Sequence, residues 1–126
     1  MSTDAQLRFL IAEDTDEIRD LMARMVVREG HVADGASDGL EAVAALKEKS
    51  YDFILLDLSM PVLSGESVVR WLNEHPEHAD GLRVVVITAW AGDRRAVLQE
   101  LGVTRVFQKP LRTQQLRELI AEANSE

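Results

Sequence analysis

Asp57 occupies the position in this sequence that most clearly suggests chemistry. It follows four consecutive apolar residues, Phe53-Ile54-Leu55-Leu56, and such a run predicts a strand buried on both faces, as in a parallel sheet. An ionised carboxylate at the end of a buried strand is costly unless cations or hydrogen bonds compensate its charge. Other parts of the chain must therefore supply partners for Asp57.

Other apolar runs of the chain also end in polar residues. Glu13 and Asp14 follow the first run, at residues 7–12. Thr88 ends the fourth run, at 84–88, and Lys109 comes just after the fifth, at 103–107. If the strand ends meet, Glu13, Asp14 and Asp57 place three carboxylates in one cleft. Their mutual repulsion would raise their pKa values unless a divalent cation lay among them. Oxygen ligands without His or Cys suit a hard ion, so we expect Mg²⁺, with Mn²⁺ as an alternative.

A magnesium site of this kind implies a phosphoryl ligand, because Mg²⁺ in proteins usually shares its coordination with a phosphate. Lys109 offers a mobile positive charge for the phosphoryl oxygens, and Thr88 offers a hydroxyl donor. A carboxylate can itself attack phosphorus and form an aspartyl phosphate. Asp57 is the best candidate for that nucleophile because it alone ends the third apolar run, which is the central strand if the strand order is 2-1-3-4-5.

The composition is that of one ordinary globular domain. The 126 residues are 46% hydrophobic and 29% charged and include no cysteine, which excludes disulfides and fits a reducing, cytoplasmic location. The net charge of −8 argues against nonspecific binding to nucleic acid or to anionic membranes. No apolar stretch approaches the ~18 residues of a membrane helix. We expect a single domain over residues 1–126, with short polar tails at 1–6 and 124–126.

The elements that must position the polar residues alternate between strand-like and helix-like patterns. Helix one is expected between an N-cap at Thr15 and Gly30, and helix two from Asp38, which forms a capping-box pattern with Glu41. Helix four is expected over roughly Asp93–Leu101. Strands are expected at residues 7–12, 31–35, 53–57, 84–88 and 103–107. Five β-α units predict an α/β fold, a doubly wound (βα)5 sandwich, whose sites lie beyond the carboxyl ends of the parallel strands.

These motifs resemble the receiver domain of two-component response regulators in both order and spacing, from about residue 8 to residue 123. The matching residues are Glu13-Asp14, Asp57, Met60-Pro61, Gly65, Thr88-Ala89 and Lys109-Pro110. The resemblance implies a flavodoxin-like sheet with strand order 2-1-3-4-5, which puts the switch point between strands one and three. It also implies a cytoplasmic phosphorelay protein.

The resemblance further implies a role for each site residue. Asp57 would accept a phosphoryl group from a phosphohistidine of a histidine kinase or histidine phosphotransfer protein. Asp14 and Asp57 would bind Mg²⁺ directly, helped by the backbone carbonyl of Ser59, and Glu13 would act largely through water. Thr88 and Lys109 would contact the phosphoryl oxygens.

The resemblance also implies the consequences of phosphorylation. The peptide bond before Pro110 would be cis. Phosphorylation would draw Thr88 inward and change the surface formed by helix four, strand five and helix five, which would regulate a downstream protein. The domain would not be an enzyme beyond accepting the phosphoryl group and slowly hydrolysing it.

Two departures from the family pattern lead to further expectations. Many receivers carry an aromatic residue three positions before the lysine, where this chain has Val106. Phe107 follows it and should face the opposite side of the strand, so the chain either signals without an aromatic switch or has an irregular strand end. Ser59 and Trp90 lie two residues after Asp57 and Thr88, where water must pass, and the bulk of Trp90 predicts slow hydrolysis of the acyl phosphate.

Three rival functions are less consistent with the sequence. A phosphatase of the haloacid-dehalogenase kind needs a second acid two residues after the nucleophile, where this chain has Ser59. A flavin or nucleotide binder needs a first loop that accepts anions, but the loop after strand one is acidic. A degenerate receiver that only docks partners would not need all five key residues.

Overall fold

The computed structural model describes residues 6–89 and 92–125. The five strands are β1 (Arg8–Ala12), β2 (Val32–Ala36), β3 (Phe53–Leu56), β4 (Arg83–Thr88) and β5 (Arg105–Gln108). The five α-helices are α1 (Asp16–Arg28), α2 (Gly39–Glu48), α3 (Gly65–Glu74), α4 (Arg95–Glu100) and α5 (Thr113–Asn124). Short 3₁₀ helices cover Pro76–His78 and Gly92–Arg94. Among the described residues, the helices are too short or too polar to cross a membrane.

The strands form one parallel sheet in the order β2-β1-β3-β4-β5. This order confirms the predicted doubly wound, flavodoxin-like fold. β3 lies in the centre, between β1 and β4. The carboxyl ends of all five strands therefore point to one edge of the sheet, where the loops that follow β1, β3, β4 and β5 lie side by side.

The sheet separates two hydrophobic clusters, and β3 contributes to both. Ile54 and Leu56 pack on the side of α2 and α3, whereas Phe53 and Leu55 pack on the side of α1 and α5. The exposed fraction of these four residues is 0–1%. Side chains alternate between the faces of a strand, so a run without any polar residue is what two covered faces require.

The helix ends follow the predicted signals, with one correction. Thr15 occupies the N-cap position of α1, although its side chain forms no capping hydrogen bond, and Gly30 follows that helix with a φ of 92° that favours glycine. Asp38 caps α2 by accepting a hydrogen bond from the Glu41 backbone N–H. The reciprocal half of the expected capping box is not formed there, because the Glu41 carboxylate accepts from the backbone N–H of Ser37 at 2.8 Å instead.

Two predicted boundaries differ from the structure in the region of α4 and β5. α4 is shorter than predicted because its first turn is replaced by the 3₁₀ helix Gly92–Arg94. β5 begins two residues later than predicted, since Gly102 takes a φ of 87° and the Val103 N–H bonds back to the Leu98 carbonyl. The chain after α4 is therefore still completing the helix end where the sequence pattern suggested a strand.

Candidate functional site

Glu13 and Asp14 lie in the loop between β1 and α1. The Glu13 side chain is fully buried, whereas Asp14 is exposed. The Glu13 backbone N–H donates to the Ala36 carbonyl at 3.0 Å, which continues the pairing of β1 with β2 by one residue. With this pairing, the Glu13 side chain lies in the interior and Asp14 lies at the mouth of the cleft.

Asp57 follows β3 directly and is 4% exposed. Its backbone N–H donates to the Ala12 carbonyl at 3.0 Å, so β1 and β3 fix its position. Carboxylate oxygens of Glu13, Asp14 and Asp57 all lie within 4.8 Å of one another. Three carboxylates this close, one of them open to solvent, form an oxygen-only ligand set that fits a hard divalent cation.

Lys109 reaches the same cleft from the end of β5. Its Nζ lies 2.7 Å from Glu13 Oε1 and 3.2 Å from Asp57 Oδ2. Burial of the lysine opposes its charge, but the hydrogen bond to Glu13 and the negative charge of Asp57 outweigh burial and raise the pKa of Lys109. Lys109 is therefore a permanent cation in the cleft at neutral pH. The Lys109–Pro110 peptide bond is cis, as the resemblance implied.

Thr88 ends β4, the strand beside β3, and is 2% exposed. Its carbonyl accepts a hydrogen bond from the Lys109 N–H at 2.9 Å, which links the ends of β4 and β5. The structure thus brings Thr88 and Lys109 to the same sheet edge as the three acids. Trp90, which the sequence suggested as a shield for this cleft, lies outside the described residues.

Val106 and Phe107 face opposite sides of β5, as the alternation of strand side chains predicted. Val106 packs against the cluster on the α2 and α3 side, and Phe107 against the cluster on the α1 and α5 side. β5 pairs with β4 in regular register, with Val86 opposite Val106 and Ile87 opposite Phe107. This regular pairing favours the interpretation that the family's aromatic position is occupied by valine, rather than that the strand is irregular.

A pair that the sequence analysis missed lies beside the cleft. Glu66 in the first turn of α3 is 8% exposed and accepts two hydrogen bonds from the guanidinium of Arg94. Arg94 also donates from Nη1 to Ser59 Oγ at 3.2 Å. Glu66 and Arg94 are 28 residues apart in sequence, and neither belongs to a recognisable motif, so local pattern gave no signal for the pair.

Comparison with known proteins identifies the family. The model of the response regulator receiver domain matches residues 9–121, and the chain belongs to this family. It is therefore a receiver domain of two-component signalling.

Individual relatives range from much longer proteins to chains of similar length. The protein is 30% identical to hybrid signal transduction histidine kinase G of Dictyostelium discoideum over 95% of this chain but only 4% of the kinase. It is 27% identical to sporulation initiation phosphotransferase F of Bacillus subtilis over 90% of each chain. It spans 4% to 26% of the length of several curated relatives.

A solved receiver domain shares the fold of this chain. The receiver domain of sensor histidine kinase PA1611 from Pseudomonas aeruginosa PAO1 superposes with a TM-score of 0.85 at 27% identity. The superposition covers 97% of this chain and 100% of that domain. That structure carries a magnesium ion coordinated in its active-site cleft.

Proposed function

We propose that Asp57 is the phosphoacceptor of this receiver domain and takes a phosphoryl group from a phosphohistidine. The observation that supports this proposal most strongly is the surrounding of Asp57. A nearly buried carboxylate lies 3.2 Å from the Lys109 ammonium, and its oxygens lie within 4.8 Å of those of Glu13 and Asp14. The donor would be a histidine kinase or a histidine phosphotransfer protein, the partners with which receiver domains pair.

The transfer is a substitution at phosphorus. A carboxylate oxygen of Asp57 attacks, and the phosphorus–nitrogen bond to the donor imidazole breaks with its electron pair passing to the nitrogen. A solvent proton then completes the neutral imidazole. Lys109 offsets negative charge on the phosphoryl oxygens, and the Thr88 hydroxyl donates a hydrogen bond to them. Attack by water on the same phosphorus later releases phosphate and restores the carboxylate.

Mg²⁺, or Mn²⁺ in its place, is the cofactor that the ligand set fits. Asp14 and Asp57 would hold the ion directly with the backbone carbonyl of Ser59, and Glu13 would act mainly through water. When bound, the ion neutralises charge on the transferring phosphoryl group. The relative with magnesium in the corresponding cleft supports this assignment.

The output of this domain is a change of surface rather than a released product. We propose that phosphorylation draws Thr88 inward and alters the face formed by α4, β5 and α5, which regulates a downstream protein in the cytoplasm. We propose that residues 1–126 form one such domain; α5 extends through Asn124, so the polar tail expected at 124–126 begins after that residue. Val106 on β5 and Pro110, which directly follows Lys109, tune this response. Neither nucleic acid nor membrane is a partner of the domain.

Acetyl phosphate with Mg²⁺ tests the proposal directly. We expect intact-protein mass spectrometry to show one added phosphoryl group in the wild type and none in Asp57→Asn. Asp52→Asn is a matched control, because Asp52 lies at the opposite end of β3 and accepts from the Arg8 N–H at 2.8 Å. Modification that persists in Asp57→Asn, or steady turnover of para-nitrophenyl phosphate, would overturn the assignment in favour of another residue or of a phosphatase.

A further inference from the structure

Arg94 connects two loops at the rim of the acidic cleft. Its Nη1 lies 3.2 Å from Ser59 Oγ, and its Nη2 lies 3.3 Å from the Leu58 carbonyl oxygen. Leu58 and Ser59 are the two residues that follow Asp57. One side chain from the turn before α4 therefore contacts the segment that carries the chain away from the phosphoacceptor.

Glu66 fixes the orientation of Arg94. Arg94 Nη2 donates to Glu66 Oε1 at 2.6 Å, and Arg94 Nε donates to the other carboxylate oxygen. A two-bonded pair of this kind sets the plane of the guanidinium as well as its distance. Because Glu66 is 8% exposed, its charge needs this partner, and the pair can be treated as one unit.

The backbone of α3 also contacts this segment. The Gly65 N–H donates to the Leu58 carbonyl at 3.0 Å. The Leu58 carbonyl thus accepts from both α3 and Arg94. Because this carbonyl accepts two hydrogen bonds, the peptide segment from Asp57 to Ser59 has little freedom to shift.

We propose that Arg94 is a positioning residue for the divalent cation. Held by Glu66, it fixes the backbone after Asp57 so that the Ser59 carbonyl is presented to the metal. This inference rests on the proposed function, in which that carbonyl is a ligand. Loss of groups that orient metal ligands typically lowers metal affinity roughly 10- to 100-fold, so the loss of Arg94 should be measurable in metal binding alone.

The direction of the effect separates positioning from simple charge. If Arg94 acted only through its charge, its removal would raise the affinity of the acidic cleft for a cation, and removal of Glu66 would lower it. A positioning role predicts that both removals lower the affinity. It also predicts that removing both residues is no worse than removing one, because the pair acts as a unit.

Titration with Mn²⁺, followed by the electron paramagnetic resonance signal of the free ion, tests this without any phosphoryl transfer. We expect about tenfold weaker binding for Arg94→Ala, Glu66→Ala and the double variant. Arg94→Lys should fall between wild type and Arg94→Ala, because an ammonium cannot form the two-bonded contact. Arg117→Ala is the matched control, since Arg117 pairs with Glu29 at 3.1 Å beyond the far end of α1, and its affinity should equal that of the wild type.

The positioning role of Arg94 and the phosphoacceptor function of Asp57 can fail separately in these experiments. Unchanged or tighter Mn²⁺ binding by Arg94→Ala, with normal binding by the wild type, would overturn the positioning role alone. A wild type that binds neither Mn²⁺ nor a phosphoryl group would overturn the proposed function and this inference with it. The double variant guards against unfolding, because it leaves no unpaired buried charge, and circular dichroism would establish that it is folded.

Discussion

Lys109 is the residue that links the charge balance of the cleft to the stability of the fold. Its ammonium contacts two buried carboxylates, Glu13 and Asp57. Because the pKa of Lys109 is raised in the folded protein, its contribution to the free energy of unfolding is complete below its ordinary pKa of 10.5. That contribution is lost as the pH rises through the higher pKa of the folded state.

We therefore expect the stability of the wild type to fall above pH 10.5 more steeply than that of Lys109→Met. Urea unfolding at a series of alkaline pH values measures the difference between the two curves. The comparison also removes the contribution of Tyr51, whose pKa is raised by burial and by its bond to Asp34 and which is present in both proteins. Parallel curves for the two proteins would show that Lys109 is not coupled to stability.

The bulk of Trp90 should control how fast the acyl phosphate is hydrolysed. It stands two residues after Thr88 in the sequence, where a bulky side chain should restrict the access of water to the acyl phosphate. We expect Trp90→Ala to lose its phosphoryl group several-fold faster than the wild type, measured by the decay of the phosphorylated mass after removal of acetyl phosphate. Trp71→Phe is the control, because Trp71 lies in α3 and stacks on His75 at the end of that helix, so this substitution should leave the rate unchanged. Equal lifetimes for the wild type and Trp90→Ala would contradict the shielding role.

At the scale of the elements, the start of α3 determines where Asp57 can lie. A Cβ atom added to Gly65 would lie 2.5 Å from the Asp57 carbonyl oxygen and 2.8 Å from Leu58 Cα. Both neighbours are backbone atoms, so a side chain at position 65 requires α3 and the end of β3 to separate. The close approach of these two elements therefore depends on glycine.

Gly65→Ala should lower the free energy of unfolding by about 1–3 kcal/mol, the range for overpacked positions, and should weaken metal binding. Gly35→Ala is the matched control, since a Cβ there meets the flexible side chain of Arg19 at 3.1 Å rather than backbone. Urea unfolding of both variants gives the comparison. Two equal and small losses would show that α3 can move away from β3 at little cost.

The helices and strands also show which features can be predicted from the sequence and which cannot. The buried run before Asp57, the N-cap at Thr15 and the glycine after α1 are local signals, and each marked its element correctly. The predicted start of β5 was wrong. Val103 is apolar, which fits a strand residue as well as a residue that bonds back to the end of α4, so the sequence could not distinguish the two. The Glu66–Arg94 pair has no local signature at all, since it forms only once α3 and the turn before α4 are brought together.

At the scale of the whole molecule, the cleft concentrates negative charge that the fold itself does not fully balance. Glu13, Asp14 and Asp57 come from two loops and meet at one sheet edge, where Lys109 forms ion pairs with Glu13 and Asp57. A cation that binds the folded state only should stabilise it in proportion to the logarithm of its concentration. Unfolding therefore reports on the metal site independently of phosphorylation.

We expect Mg²⁺ at about 100 times its dissociation constant to raise the free energy of unfolding by about 2.7 kcal/mol. Asp14→Asn should lose this increase, yet without metal it should be no less stable than the wild type, because it removes one of three neighbouring negative charges. Asp20→Asn, an exposed α1 acid paired with Arg24 at 3.4 Å, should keep the full increase. If Mg²⁺ stabilised the wild type and Asp14→Asn equally, the ion would be binding elsewhere on this acidic protein.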